Sequence, residues 1–270
     1  LLAYSAPLLA YTILNNLLFQ GDRILVERWF GLETLGRYAL AAVVIAPLDV
    51  ISNAAGQAIT PTIYRGLSTG DGATVRRFAE GAYDSLSAGL TVLIVLAIWA
   101  FAPLLAFAGR EEYAAGAIFV PVLALSQLFR VRYVCSSIPL FYFKRTAWLP
   151  FVTATSIGLG LAMAALATRY FGLIGIPAAV LAWKWSQDVL ARVLVWRSGL
   201  PAMRMRRSWR LIAALGAYVV ALHLGGFTGQ PDDAWVWWGG MVVIGVCLHT
   251  AWRSLSELRS AAAASSGVPA

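Results

Sequence analysis

Four sets of polar side chains recur at helical spacing inside otherwise apolar sequence, and their chemistry sets the functional question. Thr12, Asn16, Arg23 and Glu27 form one set, with Gln20 between them. Asp49, Asn53 and Gln57 form a second, each four residues from the next. Ser126, Arg130, Tyr133 and Ser137 form a third, and Lys184, Asp188 and Arg192 a fourth. Residues three or four apart share a helix face, so each set reads as a polar stripe. Ionisable groups within a bilayer cost a few kcal/mol each (about 2.5–3.5 at the centre), so they face a partner or a cavity. Arg23, Arg130, Lys184 and Arg192 supply positive charge, and guanidinium groups grip phosphate oxygens in bidentate fashion. Such a cavity suits a pyrophosphate or another anionic head group, with Asn16, Asn53 and Gln57 as neutral hydrogen-bonding partners. Glu27, Asp49 and Asp188 would tune the cations or carry a coupling proton. A structural reading stands beside the functional one: Arg23–Glu27 and Lys184–Asp188–Arg192 are also spaced as ion pairs that lock helices. Arg130 and Arg192 could equally snorkel to an interface. Arg132 lies off its helix's polar stripe and reads as interfacial.

The surrounding sequence is that of an all-α integral membrane protein. Of 270 residues, 60% are hydrophobic and 13% charged, and mean hydropathy is +0.72. Soluble domains run near a quarter charged and half apolar. The 11 tryptophans suit aromatic belts at two interfaces. Spans of about 20 apolar residues give eight transmembrane helices: residues 1–29, 37–60, 84–108, 114–142, 148–170, 174–196, 210–226 and 234–252. Residues 1–200 read as a six-helix lobe, 201–260 as two appended helices, and the Ala/Ser-rich 261–270 as a disordered cytoplasmic tail. Residues 61–84 read as a polar connector, with 74–83 amphipathic and Arg76 and Arg77 at the inner-leaflet surface. The chain opens on Leu1 within an apolar run, which reads as a fragment lacking an N-terminal part.

Loop charges orient the spans. With the first span starting inside, the inner loops and tail hold Arg65, Arg76, Arg77, Lys144, Arg145, Arg197, Arg204, Arg206, Arg207, Arg210, Arg253 and Arg259. The outer loops hold Arg28, Arg37, Arg110 and Arg169, with the acidic pairs Glu111–Glu112 and Asp232–Asp233. Both ends of the chain are therefore expected in the cytoplasm, at a bacterial cytoplasmic membrane. The net charge of +8 follows from these loops and calls for no nucleic acid.

Enzymatic chemistry and cofactors find no support. His223 and His249 have no matching acid or metal-ligand spacing, and Cys135 and Cys247 lie in apolar segments without a disulfide or metal pattern. There is no Gly-rich phosphate loop ending in Lys and Ser/Thr, hence no ATPase of the chain's own.

Ala6–Pro7, Asp22–Arg23, Gly31-Leu-Glu-Thr-Leu-Gly36-Arg-Tyr38-Ala39, Pro61, Tyr113 and Gly172-Leu-Ile-Gly175-Ile-Pro-Ala-Ala follow in an order and spacing that resembles a known family. It is the polysaccharide-exporter branch (Wzx-type flippases) of the multidrug/oligosaccharidyl-lipid/polysaccharide flippase superfamily, C-terminal half, over about residues 1–200. The resemblance implies two six-helix lobes around a central cavity, alternating access, and transport of a polyprenyl-diphosphate-linked saccharide. It adds Asp22 to the coupling or ion-pairing residues. It also implies a missing N-terminal lobe and, as further partners, a polysaccharide polymerase and other assembly proteins. Two alternatives remain open. A cation-coupled multidrug antiporter would favour acidic cavity residues, and a membrane glycan polymerase or glycosyltransferase would need a catalytic acid on an external loop.

Overall fold

The computed structural model describes residues 2–69, 72–203, 205, 207–227 and 234–266. Arg204, Arg206, Asp232, Asp233 and residues 267–270 lie outside the described residues, and so do the side chains beyond residue 256. Every regular element described is helical. In chain order these are α1 (Leu2–Ser68), α2 (Gly72–Phe107), a 3₁₀ turn (Glu111–Phe119), α3 (Val120–Tyr142), α4 (Trp148–Phe171), a 3₁₀ turn (Gly172–Ile174), α5 (Gly175–Arg197), α6 (Ser208–Leu224) and α7 (Ala234–Ser266).

Gly31 divides α1 into two arms. Its backbone (φ 84°, ψ 172°) lies in a region open essentially to glycine alone. The Tyr38 hydroxyl donates to Asp22 Oδ2 at 2.6 Å. Sixteen residues of straight helix would hold those groups about 24 Å apart, so the chain folds back at Gly31 and the two arms lie side by side. Tyr38 is fully buried and its ring packs on Phe119.

Among the described residues, four stretches are long and apolar enough to cross a membrane: Ala6–Ser68, Gly72–Phe107, Glu111–Tyr142 and Trp148–Arg197. This differs from the eight spans expected from sequence. The first and fourth stretches each take in two of the expected spans, broken internally at Gly31 and Gly172. The expected seventh span falls on α6, whose 17 residues fall short of the roughly 20 that a span needs. The eighth falls on α7, which is only partly described.

Other boundaries also moved. The second arm of α1 continues through Pro61 to Ser68 where a connector was expected; Ile63, with no exposed surface, anchors that extension in the core. The amphipathic stretch is the first part of α2, with Val75, Ala79 and Tyr83 buried and Arg76 and Arg77 exposed. The Ala/Ser-rich segment read as a disordered tail is helical as far as Ser266.

One apolar core joins the arms of α1 (Val26, Ala41, Ile45) to α2 (Ile94, Ile98), α3 (Leu128, Val131), α6 (Leu211, Leu215) and α7 (Val243, Cys247). Close approaches rest on absent side chains. A Cβ on Gly116 would lie 2.7 Å from the Arg37 carbonyl oxygen, and one on Gly160 would lie 2.9 Å from the Trp183 Cβ. The latter lets α4 and α5 pack against each other at the level of the polar stripes.

Replacing Gly31 by Ala should cost about 1–3 kcal/mol, because a Cβ is strained at that backbone conformation. Gly89→Ala, helical and open around its Cα, should be neutral or slightly stabilising. Thermal unfolding of the two variants in detergent, followed by circular dichroism, checks the contrast.

Candidate functional site

The polar stripes resolve into two separate places. The first is a cleft between the two arms of α1, α3 and α5. One part, about 310 Å³ in volume, is lined by Tyr11, Asn16, Asp49, Asn53, Arg130 and Lys184 among others. It joins through Asp49, Trp183 and Lys184 to a part lined by Asp22, Arg23 and Gln127. Through Asn53 and Val134 it joins a more open part, about 510 Å³, lined by Ser52, Gln57, Thr60 and Tyr64. Eight of the candidate binding and coupling residues therefore share one continuous surface, with Thr12, Ser126 and Tyr133 of the same stripes: Asn16, Asp22, Arg23, Asp49, Asn53, Gln57, Arg130 and Lys184.

Within the cleft the charges are unevenly committed. Arg130 forms an ion pair with Asp49 and donates from Nη2 to Asn53 Oδ1 at 3.1 Å. One guanidinium thus bridges α3 to two successive residues of the Asp49–Asn53–Gln57 stripe. Asp22 accepts from the Tyr38 hydroxyl and from the Arg23 backbone N–H at 2.8 Å. The ammonium of Lys184 has no ion pair and no hydrogen bond among the described residues. Around it stand three more polar groups without a hydrogen-bond partner there: Gln127 Oε1, Trp183 Nε1 and Gln187 Nε2. Buried polar groups are usually paired, and leaving one unpaired costs about 1–3 kcal/mol. Lys184 and these three groups line adjoining parts of the cleft.

The second place is a buried ionic cluster. Asp188, with a fully buried side chain, accepts from Arg132 Nε at 3.0 Å, from Arg192 Nη2 at 2.6 Å and from the Ser136 hydroxyl at 3.2 Å. Arg132 also donates to the Met205 carbonyl at 2.9 Å and to the Ser208 hydroxyl. The Ser208 backbone N–H donates to Asp84 Oδ1 at 3.1 Å, so a carboxylate of α2 caps the start of α6. The Trp209 ring covers both guanidiniums, 4.2 Å from Arg132 and 5.3 Å from Arg192. Arg132, read as interfacial from sequence, is 2% exposed. Its off-stripe position is what points it into this cluster. Arg192 and Asp188 belong to the cluster and do not line the cleft. Glu27 is exposed and lines no part of the cleft.

Helix geometry explains the division. A straight α-helix turns about 100° per residue, so each i,i+4 step drifts about 40°. Lys184 and Arg192 end about 80° apart, enough to face different neighbours. Arg130 and Arg132, two residues apart, point to nearly opposite sides of α3. The cleft residues that spacing alone overlooked, Gln127 and Gln187, stand three residues from Arg130 and Lys184. An i,i+3 search from each cation would have found them.

Asp188→Ala should leave two guanidiniums without their carboxylate and destabilise the protein by about 3–5 kcal/mol. Lys184→Met, which breaks no pair, should leave the unfolding midpoint within a few degrees of the parent. Thermal unfolding in detergent compares the two. Against known proteins, the chain matches no family model, no curated protein and no solved structure.

Proposed function

We propose that this chain is a membrane transporter that flips a polyprenyl-diphosphate-linked oligosaccharide across the cytoplasmic membrane by alternating access, for surface polysaccharide synthesis. The observation that carries the reading is the cleft itself, in which Arg23, Arg130 and Lys184 stand with the neutral amides of Asn16, Asn53 and Gln57. Asp22 and Asp49 share the cleft with these cations, so a diphosphate bound there meets charge of both signs, and a transporter must release what it binds. Beyond Asn53, which accepts from Arg130, the neutral groups of Gln57, Ser52 and Thr60 continue the surface, as uncharged sugar would require.

The state of the carboxylates weighs against a cation-coupled drug antiporter. Asp49 is paired with Arg130 and Asp22 is held by Tyr38, whereas the lysine is not paired. A site for cationic drugs would show the reverse. For a glycan polymerase or glycosyltransferase, Glu111 and Glu112 are exposed on a short 3₁₀ turn apart from the cleft, with Glu112 beside Arg110 at 3.6 Å. In the proposed mechanism a second lobe faces the open side of the cleft, where Asn53 and Gln57 are exposed.

Lys184→Gln, expressed in the membrane at the level of the parent, should lower surface polysaccharide about tenfold or more. That is the loss expected from one charged hydrogen bond of about 1.5–3 kcal/mol. Unchanged surface polysaccharide would remove the diphosphate from the reading.

A further inference from the structure

The helices α2, α3, α5 and α6 end in the same turn. Two residues past the helix the backbone turns left-handed; that residue's N–H bonds three residues back and the next N–H five residues back. At the ends of α2, α5 and α6 the left-handed residue is Gly109 (φ 64°), Gly199 (φ 65°) or Gly226 (φ 71°), the residue type that adopts this conformation without steric cost. At the end of α3 it is Lys144 (φ 56°), which among the described residues is the one non-glycine with positive φ. Its N–H donates to the Phe141 carbonyl at 3.2 Å, and the Arg145 N–H donates to the Leu140 carbonyl at 2.8 Å. The turn is therefore the one that glycine makes elsewhere in the chain. A side chain kept there against that cost points to a use for the side chain itself.

Lys144 stands where three helices reach the edge of their apolar length. The stretches able to cross a membrane end at Tyr142, begin at Trp148 and end at Arg197. Leu140, Leu149 and Val195 pack together just inside those ends, so Lys144, Arg145 and Arg197 share one end of the bundle. All three are exposed and, among the described residues, none has an ion pair. Neither residues 142–148 nor residues 193–200 include an acidic side chain. Trp148 and Trp196 stand next to these cations, 43% and 72% exposed, and Phe151 and Val193 carry the exposed apolar surface on along α4 and α5. Positive charge without a carboxylate selects an anion, and exposed indoles suit the headgroup level of a bilayer. A soluble anion would leave the apolar surface beside the cations without a role, whereas acyl chains would cover it. We infer that Lys144, Arg145 and Arg197 bind the headgroup of an anionic phospholipid whose acyl chains lie along the exposed faces of α4 and α5. Such a site stands whether or not the cleft carries a diphosphate lipid.

The test titrates the whole chain in detergent with phosphatidylglycerol or phosphatidylcholine and reads bound lipid by native mass spectrometry. Phosphatidylglycerol should bind about tenfold or more tightly than phosphatidylcholine. Lys144→Gly should weaken phosphatidylglycerol about fivefold, the worth of one basic residue near an anionic surface, and leave phosphatidylcholine unchanged. Its thermal midpoint should equal or exceed that of the parent, because glycine relieves the turn. Arg197→Gln should weaken phosphatidylglycerol to the same degree. Arg77→Gln, at the exposed start of α2, should not. Equal binding of the two lipids by the parent overturns the site, and so does an Arg77→Gln loss as large as that of Lys144→Gly, which would show diffuse attraction to basic surface. Displacement of the lipid by inorganic phosphate would assign the cations to a soluble anion and overturn it too. If Lys144→Gly lowers the midpoint, Arg197→Gln decides, and unchanged phosphatidylglycerol binding by that variant overturns the site.

Discussion

A carboxylate without solvent has to be paid for by its neighbours, and in this protein the Asp188 carboxylate gathers most of the helices around itself. Arg132 and Ser136 reach it from α3 and Arg192 from its own helix, while Arg132 carries the contact on to Met205 and Ser208. Asp84 closes the cluster from α2 by capping the start of α6. Buried ion pairs seldom add net stability, because desolvation offsets most of the attraction. What they supply is a penalty for every other arrangement. A slip of α3 or α5 by one residue would leave a guanidinium or a carboxylate alone in an apolar core.

That fixed register is what gives the cleft its geometry. The cluster and the cleft share two helices: Arg130 and Arg132 point to nearly opposite sides of α3, and Lys184 and Arg192 lie about 80° apart on α5. The cluster satisfies its own charges, so it does not draw on those of the cleft. Lys184 can therefore stand without an ion pair and not loosen the fold, since the helices are held elsewhere. Binding chemistry and structural chemistry are separated by two residues on α3 and by four on α5.

The helical class, the apolar spans and most of the cleft were legible in the sequence, because apolar runs and i,i+4 polar spacing depend on one helix at a time. Asn16, Arg23, Asp49, Asn53, Gln57, Arg130 and Lys184 were all found in that way. The errors arose where a second helix decides the outcome. Arg132 looked interfacial because its partner Asp188 is 56 residues away. Asp188 and Arg192 looked like cleft residues because spacing by four hides the drift around a helix. The number of spans failed for a related reason: length and hydropathy do not show that Gly31 reverses a continuous helical stretch, nor that α6 ends early.

That early end bears on the lipid around the protein. At about 1.5 Å per residue α6 is about 26 Å long, whereas the part of α2 beyond Asp84 reaches about 35 Å. The two helices start from one level, because Asp84 caps α6. In a bilayer, a difference of about 9 Å between neighbouring helices is relieved by thinning or by tilting the protein. The carboxylate that caps a helix thus also sets the offset between the far ends of α2 and α6.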